Sequence, residues 1–230
     1  MNKLRITLVW LLTALAAQVF AAGDFFTTTG FSFTRRHGGT SFSARVDFPV
    51  SGSSKAVESV KQWMGDVLEV NMPISVSEEG FERALQQSFD SLLVDAPGVS
   101  RHVEITRAYE DEEIVTYLST VVDRDTATWR DEDCASFSKT DGHRITAKEV
   151  FKCSERQIKQ LMWQYRGDLP VGVASPDELV VGDVGFIDGW VIVIGPARGY
   201  TGAAYRIRYQ EAEPCLRGNR NEGYYEEGED

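Results

Sequence analysis

Histidine and cysteine are scarce in this chain of 230 residues, with three copies of each. A nucleophilic triad needs a base, yet His37 sits in a basic turn, His102 at the start of a strand and His143 in an Asp-Gly turn. No Gly-x-Ser-x-Gly elbow accompanies them, so serine-hydrolase chemistry has no foothold. The glycine-rich stretches contain no Gly-Lys-Ser/Thr, which excludes a P-loop. Positive charge is also short: 24 Lys and Arg against 35 Asp and Glu leave a formal charge of −11. Nucleic-acid binding relies on cations that neutralise phosphates, so no nucleic-acid partner is expected. No segment reaches the roughly 20 consecutive apolar residues that span a bilayer.

The nearest approach to such a run opens the chain, MNKLRITLVWLLTALAAQVFA. Lys3 and Arg5 form a basic lead, an apolar core follows, and Val19 and Ala21 occupy the −3 and −1 positions of a signal-peptidase site. Residues 1–21 are therefore expected to be a cleaved signal peptide. The mature chain would carry a formal charge of −13 after loss of the two cations, and would be periplasmic or secreted. No cysteine stands at the cleavage point, which argues against a lipoprotein. Export favours disulfides, and three cysteines leave one unpaired. Cys134 and Cys153 flank a turn that could bring them together and are the expected pair, with Cys215 left over. Zinc is the rival reading, but no two cysteines have ligand spacing and the nearest histidine, His143, stands alone. No metal or cofactor is expected. The end of the chain, 218–230, GNRNEGYYEEGED, has no apolar period and reads as a disordered acidic tail.

Between these ends the periodicity changes several times. FFTTTGFSFT (25–34) and FSARVDFPV (42–50) alternate like strands around RRHGG. Val57, Val60, Trp63, Met64 and Val67 then recur at three- and four-residue steps, one helix face over about 54–69. A second helix opens near Ser77, carries Phe81, Leu85 and Phe89, and ends at DAPG. Strands are expected over 101–110, 112–123 and 126–139, followed by the turn TDGH. Capping boxes at Thr146/Glu149 and Ser154/Gln157 start two short helices. The last strands lie within GFIDGWVIVIGPARGYTGAAYRIRY (185–209). This order gives a single α+β domain over 22–217, a mainly antiparallel sheet with helices packed on one face.

That last stretch invites a phosphate-loop reading, since Gly195, Gly199 and Gly202 follow a dense apolar run. The spacing is not Gly-x-Gly-x-x-Gly, and an alternating strand follows where a helix N-terminus would be needed. The glycines are read instead as turn residues between two strands. The densest acids, Asp123, Asp125, Asp131, Glu132 and Asp133, lack calcium-loop spacing and read as a solvated loop.

Four segments, FSARVDFPV with the Trp63 helix, VEITRAYEDEEIVTYLSTVV, SFSKTDGHRITAKEVF and YRIRYQEAEPCL, resemble in order the RsiV-like extracytoplasmic domains. Those are the outer, ligand-sensing domains of lysozyme-responsive anti-sigma factors, also appended to some peptidoglycan deacetylases. The Gly-Gly-Ala-His motif common after the central hairpin of that family is replaced here by DRDTATWRDEDC, so its ligand contacts do not carry over. The resemblance implies a non-catalytic, exported module that recognises an envelope component or an envelope-attacking protein. Trp190, Arg198, Tyr200 and Tyr205 are the expected ligand-binding residues, because aromatics beside an arginine anchor interfaces. The alternative is a hydrolase that acts on cell-wall glycan or peptide through acidic residues.

Overall fold

The switch in period after residue 51 decides the sheet. In the computed structural model, which describes residues 25–72, 77–170 and 172–218, two helices stand where the sequence leaves alternation. The expected leader (1–21) and all of the expected tail but Gly218 lie outside the described residues.

Strands β1 (Thr27–His37) and β2 (Thr40–Ser51) form a hairpin, followed by α1 (Ser54–Val67) and α2 (Glu78–Asp95). Three long strands come next, β3 (Ser100–Glu110), β4 (Ile114–Arg124) and β5 (Thr128–Ser138). Short helices α3 (Ala147–Val150) and α4 (Glu155–Gln164) lead to β6 (Val184–Ile187), β7 (Trp190–Ala197) and β8 (Tyr200–Arg208), and then to α5 (Tyr209–Ala212). All eight strands join one sheet in the order β1-β2-β3-β4-β5-β8-β7-β6.

The α+β class holds, but the sheet is mixed where a mainly antiparallel one was expected. A helical pair between β2 and β3 carries the chain back to the end where β2 began, so β3 adds parallel to it, Ser41 opposite Ser100. The second parallel seam joins β5 to β8 and is thin, with Arg130 opposite Tyr200 as its one paired position. A side chain supplements it: the Ala204 N–H donates to Glu132 Oε2 at 2.9 Å.

Alternation then sorts the residues. Ala135, Phe137, Val191, Val193, Ala203, Tyr205 and Ile207 are all odd-numbered and all buried in the two large apolar clusters that the helices cover. Paired registers across β5, β8 and β7 put these odd positions on one face of the sheet. Phe81 of α2 docks on β1 and β2, stacked on Phe48 at 4.6 Å and edge-on to Phe31 at 5.2 Å. Burying a ring of that size contributes about 2–3 kcal/mol. Trp63 of α1 is buried with its indole N–H satisfied by Asp133 Oδ2 at 3.0 Å.

One core group is not satisfied. Tyr117 is fully buried beside Trp63, and among the described residues its hydroxyl has no hydrogen-bond partner. Burial drives its phenol pKa far upward. An unpaired buried hydroxyl costs about 1–3 kcal/mol, so Tyr117→Phe is expected to stabilise the fold by about 1 kcal/mol in urea unfolding. A loss of stability would show that the hydroxyl is paired in solution, through a buried water for example.

The glycine stretch folds differently from its sequence reading. The β7–β8 turn is only Arg198–Gly199, with Gly199 at φ +81°. Gly195 and Gly202 lie inside strands, where a Cβ would come within 2.5 Å of Met162 Cε and 2.7 Å of the Glu132 carbonyl oxygen. Close approach, rather than turning, requires glycine at those two positions.

Candidate arginine- and aromatic-lined cleft

Beyond the register shift near Ala197, the even-numbered residues of β8 have a different fate from the odd ones, while Tyr200 also packs against the helix-covered cluster. Tyr200, Ala204, Arg206 and Arg208 line a cleft of about 620 Å³, joined by Trp190 of β7 and by residues 164–169 after α4. That volume is within the usual range for small-molecule sites. The cross-strand register sets Trp190 directly opposite Arg208, whose guanidinium lies 5.9 Å from the indole ring centre. Such a contact holds an arginine in place without using its hydrogen-bond donors.

Charge in the cleft runs against that of the chain. Its lining holds Arg166, Arg206 and Arg208 against one acid, Asp168. Among the described residues neither Arg166 nor Arg208 is in an ion pair, while Arg206 only approaches Glu132, at 3.9 Å. Arg166 stacks on Trp163, 4.4 Å from its ring centre, and donates to the Trp163 carbonyl. Glu132 is nearly buried and is engaged more closely by Arg130, at 2.7 Å, than by Arg206. Burial, followed by the neighbouring Glu211 carboxylate of the segment after β8, raises the Tyr165 pKa. The arrangement offers planar, charged donors beside aromatic faces. It is suited to holding a carboxylate or phosphate next to a ring.

Of the four residues expected from sequence, Trp190 and Tyr200 line this cleft. Tyr205 does not: it is fully buried on the odd face, its hydroxyl donating to the Pro196 carbonyl. Arg198 is exposed in the hairpin turn and is not part of the lining, and its backbone N–H donates to the Pro170 carbonyl at 2.6 Å. Arg166, Arg206, Arg208 and Tyr165 were missed. For Arg206 and Arg208 a signal existed, since AAYRIRY places both on the polar side of an alternating strand.

The acids of 123–133 have structural partners and do not converge on the cleft. Asp123 forms a bidentate pair with Arg101 (2.8 and 2.8 Å), and Asp125 accepts the Ala127 N–H at 2.8 Å. Asp133 accepts from Trp63 and lies 3.3 Å from Arg144. The histidines are equally local. His143 bridges Asp141 (2.6 Å) and Glu149 (2.8 Å), and His102 contacts the Ser43 hydroxyl at 2.9 Å. All three cysteines are present as free thiols. Cys134 is fully buried against Ile192 and Ala204, whereas Cys153 and Cys215 both pack against the cluster around α4.

No family model matches the chain, and no curated protein matches it in sequence. Among solved structures it is similar to a member of the DUF3298 family from Bacteroides fragilis, at 10% identity and a TM-score of 0.59. That match covers 85% of this chain and 94% of the other. A DUF3298 family protein from Pseudomonas aeruginosa is also similar, at 12% identity and a TM-score of 0.48 over 84% and 95% of the two chains. The first of these shows a shared fold, that of a domain of unknown function.

Proposed function

We propose that the chain is a non-catalytic binding module of the cell envelope, exported to the periplasm or beyond, and that the arginine-lined cleft is its ligand surface. The observation that carries this reading is the local excess of arginine in a chain of formal charge −11. Guanidinium groups match oxyanions in geometry. Trp190, Tyr200 and Tyr165 add flat faces on which a sugar ring can stack. The ligand is thus an oxyanion carried on a saccharide, such as the carboxylate of a wall glycopeptide or the phosphate of a wall polymer. The leader and the resemblance to RsiV-like outer domains support the address.

Calorimetric titration with N-acetylmuramyl dipeptide and with a phosphorylated disaccharide tests this and separates the two sources. One probe is expected to bind, and Arg208→Ala to weaken it about tenfold or more, the scale of one charge-assisted hydrogen bond. The unfolding midpoint should not change, because Arg208 is exposed. Failure of both probes to bind, or equal binding by the variant, would contradict the assignment.

A further inference from the structure

Cys153 and Cys215, about 60 residues apart, are brought together by the main chain. Phe151 and Leu216 form an isolated antiparallel bridge. The Lys152 N–H donates to the Cys215 carbonyl and the Arg217 N–H to the Val150 carbonyl, both at 2.8 Å. In this register Cys215 stands opposite Lys152, so Cys153, the next residue, is its diagonal neighbour across the bridge, and both lie in the same apolar cluster. Burial, followed by the neighbouring Cys215 thiol, pushes the Cys153 thiol up to about 12. Both cysteines are partly exposed and open to an oxidant. Cys134 has no such access: it is fully buried, and a Cβ on Gly185 would lie 3.2 Å from its sulfur.

We propose that Cys153 and Cys215 form the disulfide of this chain and that Cys134 is the odd, structural thiol. The oxidant is a small or protein disulfide, represented in the test by oxidised glutathione. The Cys153 and Cys215 thiols give up two protons and two electrons as their S–S bond forms. The S–S bond of the oxidant breaks, and its two sulfurs take up those electrons and protons as thiols. The cross-link closes a loop that contains α4 and β6 to β8. It also ties down the segment after β8, whose Glu211 neighbours Tyr165 of the cleft.

The test uses the full chain, incubated with oxidised glutathione at mildly alkaline pH because the thiolate is the attacking species. Free thiols are then alkylated and the unreduced protein is digested and mapped by mass spectrometry. A linked peptide pair containing Cys153 and Cys215 is expected, with Cys134 alkylated only after denaturation. The oxidised form should melt about 10 °C above the reduced one, as a loop of this length implies. Cys153→Ser and Cys215→Ser should each abolish that difference, and Cys134→Ala should keep it. A linkage that involves Cys134, separate glutathione adducts at Cys153 and Cys215, or a melting temperature indifferent to reduction would overturn the proposal.

Discussion

Glu110→Ala is expected to destabilise the fold by about 3–5 kcal/mol, the usual effect of removing one partner from a buried ion pair. Glu110 and Lys139 side chains are 9% and 7% exposed and lie 2.9 Å apart. Glu110 also accepts the Phe26 N–H at 2.8 Å and Arg107 Nη1 at 2.8 Å. One carboxylate therefore joins the beginning of β1, the end of β3 and the end of β5. Without it the Lys139 ammonium stays buried, with the Asp111 carbonyl at 3.0 Å as its remaining oxygen partner among the described residues. The loss comes mostly from that stranded charge. Accordingly, Glu110→Leu combined with Lys139→Met should recover much of it, and urea unfolding of the four proteins gives the coupling directly. A single variant within about 1 kcal/mol of the parent would show that water reaches the pair.

Gly142→Ala should cost about 3 kcal/mol or more. Gly142 has φ +76°, and a Cβ there would lie 2.5 Å from the Lys55 carbonyl oxygen and 2.7 Å from its carbon, both backbone atoms at the start of α1. Left-handed geometry alone costs a residue with a side chain about 1–2 kcal/mol. Gly199 isolates that part, since it has φ +81° with nothing within 4 Å of a Cβ. Gly199→Ala is therefore the milder change in the same unfolding measurement. Equal effects from the two would mean that α1 shifts away from the turn at little cost.

The sequence carried most of the fold because its signals were local. The Val57, Val60, Trp63, Met64 stripe marked α1, and Thr146/Glu149 and Ser154/Gln157 marked two helix starts that the structure retains. TDGH marked a turn whose glycine does take positive φ. The mixed sheet was not legible in the same way. Whether β3 joins β2 or a different edge depends on packing by α1 and α2, which no window of residues records. The β5–β8 seam depends on even less, a single paired position and the Glu132 side chain.

The cleft was half legible for a related reason. Alternation in AAYRIRY separates Tyr205 and Ile207 from Arg206 and Arg208, but an aromatic and an arginine near a glycine turn drew the reading to Tyr205 and Arg198. Parity within the strand decides the matter: Tyr205 shares its face with Ala203 and Ile207 and is core. Arg166 and Tyr165 could not be found from sequence, because they reach the site through the turn after α4. Proximity in sequence favoured Cys134 with Cys153, whereas the Phe151–Leu216 bridge brings a residue from the far end of the domain.

The central claim, that the even face of β8 and the turn after α4 hold an oxyanion, is tested most directly by amide chemical shifts. Isotope-labelled protein would be titrated with the muramyl dipeptide and the phosphorylated disaccharide, at low and at high salt. Shifts concentrated at 165–169, Trp190 and 200–208, and weakened by salt, are the expected result. Shifts confined to another surface, or none at millimolar probe, would contradict it.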